Sequence, residues 1–292
     1  MKRISFVIIT GLLYAISFLP FFILYLFSDL LFIILFYLVK YRRKVVRENL
    51  YNAFPEKTNE ERYTIEKKYY QFLADMIVES IKMFTISEKE MNSRFKYKNL
   101  HVLNRFLDAG RAVIAVTAHY ANWEWGSLSF AANVKQPVLI VFKPLSDKKF
   151  GDKLNHIRAR FGSIMIAMKQ TLRKVIEYKN NPHVLILLGD QTPVRGETQY
   201  FASFLNQPTA VFLGVEKIAK LTNHPVLYFT INRIKRGHYE TEATVLFENP
   251  KDLSDYEITL AHTKKLEEVI TKKPELWLWS HRRWKFKPED TL

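Results

Sequence analysis

His119 and Glu124 lie five positions apart in Thr117-Ala118-His119-Tyr120-Ala121-Asn122-Trp123-Glu124-Trp125, directly after the apolar run Ala112 to Val116. A free imidazole titrates near about pH 6.5, so a neutral histidine takes up a proton close to neutrality. A carboxylate on its other nitrogen fixes the tautomer and stabilises the imidazolium. Such a pair suits activation of a hydroxyl. On one regular helix, residues i and i+5 point about 140° apart, so the two can meet only across a turn. If His119 closes a strand and Asn122 caps a new helix, Glu124 falls in the first helical turn, where the positive helix end favours its charge. The same spacing fits a plain helix N-terminus beside a satisfied histidine. Placement at the end of an apolar strand points towards a site, because open α/β sheets hold their ligands there.

The elements that must position this pair alternate. Strand-like runs occur at Ala112 to Ala118, Val138 to Phe142, Ile164 to Ala167, Val184 to Leu188, Val226 to Asn232 and Thr241 to Phe247. Helix-like stretches lie near Asp147 to Phe161, Thr171 to Lys179, Ala210 to Leu221 and Asp255 to Thr271. Upstream, Ile65, Tyr69, Phe72, Met76, Ser80 and Met83 recur at helical spacing, which predicts a long helix over Glu60 to Phe84 after a loop around Pro55. The alternation predicts an α/β fold: a largely parallel, mixed sheet flanked by helices, with an antiparallel pair near the C-terminal edge.

With 292 residues, 48% of them hydrophobic, the chain can bury a sizeable core. The absence of cysteine excludes disulfides, a thiolate nucleophile and Cys-ligated metal. The balance of 44 basic against 29 acidic residues, net +15, calls for a polyanionic partner: nucleic acid, an anionic membrane or a phosphorylated substrate. The N-terminus favours the membrane. From Ile4 to Val39 the only ionisable side chain other than tyrosine is Asp29. As one helix this run would measure about 54 Å, more than a hydrocarbon core of about 30 Å. Pro20 and the Ser28-Asp29 pair offer breaks. Two arrangements fit: a span of Ile4 to Phe27 followed by an interfacial helix, or a shallow two-helix hairpin. A signal-peptide core would be about 7 to 15 residues and would precede a small-residue cleavage site, so a retained anchor is expected. Lys40, Arg42, Arg43, Lys44 and Arg47 follow at once and favour the cytoplasmic side for the downstream chain, while Lys2 and Arg3 leave the N-terminus ambiguous.

Three further clusters stand out. Arg158 and Arg160 precede Phe161-Gly162, where basic residues complement a helix end or clamp an oxyanion or phosphate. Gly189-Asp190-Gln191-Thr192-Pro193 ends the most apolar strand, either as a plain turn or as the lining of a site. The tail Glu275 to Lys287, ELWLWSHRRWKFK, holds three of the chain's five tryptophans and four basic residues. These suit a lipid interface or stacking on bases, or packing across the sheet.

In this order the landmarks resemble the bacterial lipid A biosynthesis (lauroyl/myristoyl) acyltransferases, of the wider glycerolipid acyltransferase superfamily. The resemblance spans nearly the whole chain. It rests on the apolar N-terminus, Arg47-Glu48-Asn49-Leu50 leading to Ala53-Phe54-Pro55, His119-x4-Glu124 with Asn122-Trp123-Glu124, and Phe142-Lys143-Pro144. It continues through Arg158-x-Arg160-Phe161-Gly162, Asp190-Gln191-x-Pro193 and Trp277-Leu278-Trp279-Ser280-His281-Arg282-Arg283-Trp284-Lys285. Ala121 departs from a common glycine, and Phe204-Leu205-Asn206 replaces the usual Phe-Phe-Gly near the expected substrate groove.

The resemblance implies a glycerolipid-acyltransferase-like catalytic domain over residues 40–292 behind a membrane anchor over 1–39. His119 would be the base and Glu124 its support, with substrate contacts from Asn122, Lys143, Arg158, Arg160, Asp190 and Gln191. It implies transfer from acyl carrier protein, or acyl-CoA, to a hydroxyl of a lipid A precursor at the cytoplasmic face of an anionic inner membrane. No metal, cofactor or nucleic acid is expected. An aminolipid or glycosylated phospholipid acceptor, or a non-catalytic membrane-binding role, are the alternatives.

Overall fold

The structure, a computed structural model, describes residues 3–193 and 200–291; Lys2 lies outside them. The N-terminal third is helical: α1 (Arg3–Ser17), α2 (Phe21–Ile33), α3 (Arg43–Ala53), α4 (Asn59–Lys82) and α5 (Glu88–Arg94). The α/β part follows as β1 (Phe95–Tyr97), α6 (His101–Asp108), β2 (Val113–Thr117), α7 (Trp123–Asn133), β3 (Val138–Phe142), α8 (Lys148–Arg158), β4 (Ile164–Ala167), α9 (Thr171–Glu177) and β5 (Val184–Leu188). Beyond the undescribed stretch come β6 (Phe201–Phe204), β7 (Gln207–Ala210), α10 (Gly214–Thr222), β8 (Val226–Lys235), β9 (His238–Phe247) and α11 (Glu257–Lys272).

Seven strands form one sheet in the order β1-β9-β8-β2-β5-β3-β4, parallel throughout except for β8 against β9. The fold is therefore α/β with a mostly parallel mixed sheet, and the antiparallel pair sits where the long β8–β9 hairpin turns back. Central strands covered on both faces read as unbroken apolar runs. Alternate residues then serve two cores. Val113, Ala115, Ile186 and Leu227 pack under Leu103, Phe106 and Leu107 of α6. Ile114, Val116, Leu185 and Leu187 face the larger core built with α4, α7, α10 and α11. The register decides the site: Thr117 pairs with Leu188, so the residues that leave β2 and β5 emerge side by side.

At the N-terminus Pro20 breaks the apolar run, ending the first helix and opening α2 at φ −65° and ψ 154°. The expected second break does not occur. Ser28 and Asp29 lie inside α2, which continues as a π-helical turn from Ile34 to Leu38. Their side chains are engaged laterally: Ser28 Oγ donates to Asp75 at 2.7 Å, and Asp29 pairs with Arg236 at 2.6 Å. A polar residue whose partner stands on a neighbouring helix has no reason to interrupt its own. The segment Phe21–Leu38 is long and apolar enough to cross a membrane, with mean hydropathy 2.4.

Much of the basic collar binds protein. Arg43 and Arg47 share the buried carboxylate of Glu66, and Arg42 donates to the Ser280 carbonyl. The tail is not laid out for lipid either. Trp277 and Trp279 are buried and Trp284 packs on the same core, so the tail crosses the fold as its last layer. Phe204-Leu205-Asn206 also moves from its expected place. Leu205 and Asn206 take the left-handed φ of a two-residue hairpin turn, 49° and 61°, which favours the usual glycine, and Phe204 packs against Trp277 and Trp284 away from the cleft.

Candidate active site

Beyond Thr117 the chain leaves the sheet through His119, turns at Ala121 and re-enters a helix at Trp123. Ala121 has φ 50°, the left-handed region that glycine occupies at least cost, which gives the common glycine here its reason. Asn122 is the N-cap of α7: its Oδ1 accepts from the Trp125 amide at 2.9 Å, and Glu124 lies in the first turn. The strand, turn and helix expected around this pair are present. Asn122 is fully buried and its Nδ2 donates to Glu79 at 2.6 Å, which places it to shape the turn and not on an open surface.

The imidazole partner differs from the expected one. Asp190, at the end of β5, places Oδ1 2.7 Å from His119 Nδ1, while its Oδ2 accepts from the His119 amide at 3.0 Å and from Trp277 Nε1 at 2.9 Å. Burial by itself would raise this carboxyl, but the charge of His119 and the hydrogen bonds from His119 and Trp277 hold it down at about 2. An ionised Asp190 only accepts, which assigns the proton to Nδ1. The Nε2 lone pair then faces the Gln191 amide nitrogen, 3.0 Å away. Gly189 lets the segment pass: a Cβ there would lie 3.2 Å from the His262 ring.

Glu124 is engaged by Arg158 instead, whose Nε donates to Oε2 at 2.8 Å and whose Nη2 binds Oε1. Fork and carboxylate meet in the bidentate geometry that orients both planes. His119, Glu124, Lys143, Arg158 and Gln191 all line one cleft of about 480 Å³ at the carboxyl ends of β2, β3 and β5. Its remaining wall is mostly apolar, including Phe142, Leu154, Met165, Met168, Leu187 and Phe212. Trp123 closes one side with its ring centroid 5.1 Å from that of His119.

Two other expected contacts lie elsewhere. Asp190 is buried behind the imidazole, hydrogen-bonded to it and not part of the cleft lining. Arg160 turns away from the cleft and donates to the Met83 and Ile86 carbonyls, where it satisfies the chain leaving α4. Arg158→Ala is therefore expected to slow turnover on the order of 10²-fold, as loss of a charged site donor does. Arg160→Ala should lower the thermal midpoint and leave kcat unchanged. Equal kinetic losses in both variants would overturn this division.

Two contributors escaped the sequence. Trp277 is one, delivered by a tail segment that bridges to Tyr120, with Leu276 O accepting from Ala121 N at 2.9 Å and Leu278 N donating to His119 O at 3.2 Å. The other is Glu79 of α4, fully buried beneath the turn, which accepts from Tyr239 at 2.7 Å and Tyr25 at 3.0 Å besides Asn122. Burial pushes its carboxyl up to about 7 despite these donors. A carboxylate between two isoleucine-flanked turns of an amphipathic helix carries no signal that marks it as buried.

The sequence model of the family described as bacterial lipid A biosynthesis acyltransferase matches residues 2–286. The chain is 22% identical over 254 residues to the lipid A biosynthesis palmitoleoyltransferase of Escherichia coli K12, which covers 86% of this chain and 81% of that relative. It is 23% identical over 253 residues to the lipid A biosynthesis lauroyltransferase of the same organism, with 86% and 81% covered. A lipid A biosynthesis acyltransferase of Haemophilus influenzae is 21% identical over 245 residues, covering 82% and 74%.

Proposed function

Since the chain belongs to the bacterial lipid A biosynthesis acyltransferase family, and is an acyltransferase on that ground, we propose that it moves a fatty acyl group from a carrier thioester to a hydroxyl of a lipid A precursor. The observation that carries this reading is the polarised imidazole: Asp190 on Nδ1, and Nε2 turned into an apolar cleft. The acceptor hydroxyl takes the place of the Gln191 amide at Nε2, gives its proton to His119 and attacks the thioester carbonyl carbon. The tetrahedral adduct collapses with cleavage of the C–S bond, and the departing sulfur takes the proton back from the imidazolium. Asp190 stabilises that imidazolium without changing its own protonation. Arg158, fixed by Glu124, and Lys143 at the cleft rim supply positive charge for the carbonyl oxygen as it becomes anionic, or for acceptor phosphates.

The apolar wall suits an acyl chain. The net charge of +15 suits an acidic acyl carrier protein as donor and a phosphorylated acceptor on an anionic inner membrane. The catalytic domain faces the cytoplasm in this reading, the side favoured by the basic residues after the apolar segment. Mass spectrometry of lipid A from cells with and without the protein tests it. Loss of one acyl chain from lipid A on deletion, restored by the parent gene and not by its His119→Ala form, is expected. An unchanged lipid A profile with an altered aminolipid or glycosylated phospholipid would overturn the acceptor.

A further inference from the structure

Helix α2 is joined to the catalytic domain along its whole length. Near its start Phe21 packs on Trp125, and Lys82 donates to the Ser17 and Leu19 carbonyls at 3.0 Å each. At its middle Tyr25 reaches Glu79, and Ser28 reaches Asp75, which also binds Arg233 and Arg236. Near the end Phe36 lies under the Arg43 guanidinium, 3.8 Å from its ring centroid, beside the Arg43–Glu66 pair. The opposite face exposes Phe22, Leu26, Leu30, Ile33 and Tyr37, a single stripe at helical spacing. If α2 crossed a bilayer it would draw Glu66, Asp75, Glu79, Lys82, Arg233 and Arg236 to membrane depth, where charge is expensive. The preceding helix α1 is held by its second half, where Tyr14 packs on Phe84 and accepts from Lys153 at 3.0 Å. Elsewhere along the helix Ile4, Val7, Ile8 and Leu12 are exposed. At 15 residues it measures about 22 Å and starts at Arg3, short of a core of about 30 Å.

We propose that α1 and α2 seat the protein in one leaflet without crossing the bilayer. Helix α2 lies in the membrane plane with its stripe in the acyl chains, and α1 dips in from the same side. The contact between Lys153 and Tyr14 then sets α8, which carries the cleft residues Leu154 and Arg158, beside the lipid surface. This placement rests on the membrane reading above.

The chain has no cysteine, so single cysteines report without background. Ser5→Cys, Phe18→Cys and Tyr51→Cys would be expressed in the full-length protein and treated with a membrane-impermeant maleimide in right-side-out and inside-out vesicles. Tyr51→Cys should label only from the cytoplasmic side. Ser5→Cys and Phe18→Cys should stay unlabelled from the other side and become reactive when detergent is added. Labelling of either from the side opposite Tyr51→Cys would overturn the in-plane seat and leave the membrane reading standing. Recovery of the protein wholly in the soluble fraction would overturn both.

Discussion

Replacing His119 with alanine is expected to slow acyl transfer by about 10²- to 10⁴-fold, the range for loss of a general base. The residual rate would come from binding and from the charge supplied by Arg158 and Lys143. Release of free thiol from a thioester donor by purified protein, measured with the acceptor present, reads the loss directly. The fold should survive, because Asp190 keeps the Trp277 indole and the backbone amide of residue 119 as donors after the ring is gone. A His119→Ala protein with the parent's rate would remove the imidazole from the mechanism.

Asp190→Asn should be nearly as damaging, on the order of 10²- to 10⁴-fold in kcat with KM little changed, because an amide no longer fixes the proton on Nδ1. Glu124→Gln, which loosens Arg158 and leaves the imidazole pair intact, should cost less. The opposite ranking would return the orienting role to Glu124. Stability against pH separates a tautomer effect from a folding defect. The Asp190 carboxyl sits at about 2 in the fold, against an ordinary value of about 3.9. Its stabilisation is complete above about pH 4 and is lost as the pH falls through about 2, the sign for a depressed carboxylate. The asparagine variant should therefore melt below the parent near neutrality, and that difference should close as the pH falls through about 2.

Sequence pattern revealed local structure wherever pattern is local. The β3, β4 and β5 strands follow from short apolar runs, and the strand-turn-helix around His119 follows from the change of period together with the Asn122 cap. Partnership across the sheet is different in kind. Glu124 was expected beside His119 because the two are close in the chain; Asp190, 71 positions away, meets it because β2 and β5 are neighbours. Order of strands in a parallel sheet is set by which crossovers pack, and no run of residues announces it. Asp190 was visible as a polar residue at a strand end, yet its role depended on that order. The same limit explains Arg158 and Arg160. Two positions apart near a helix end they look equivalent, and the helix sends one into the cleft and the other to the carbonyls behind α4. The tail's tryptophans suit lipid or bases by composition, and burial in the core takes Trp277 and Trp279 out of reach of either.

The clamp on the histidine turn comes from both ends of the molecule. Asn49 of α3 donates to the carbonyls of Trp279 and His281, Arg42 to that of Ser280, and the segment from Leu276 to Leu278 bridges to the turn itself. During synthesis the apolar helices α1 and α2 emerge well before the indole of Trp277. If these helices meet lipid as proposed, a growing chain can do so long before the indole that holds Asp190 is made. A product that stops before Trp277 has His119 and the cleft walls but not the indole that holds Asp190, so on the proposed reading such a product would be impaired in turnover.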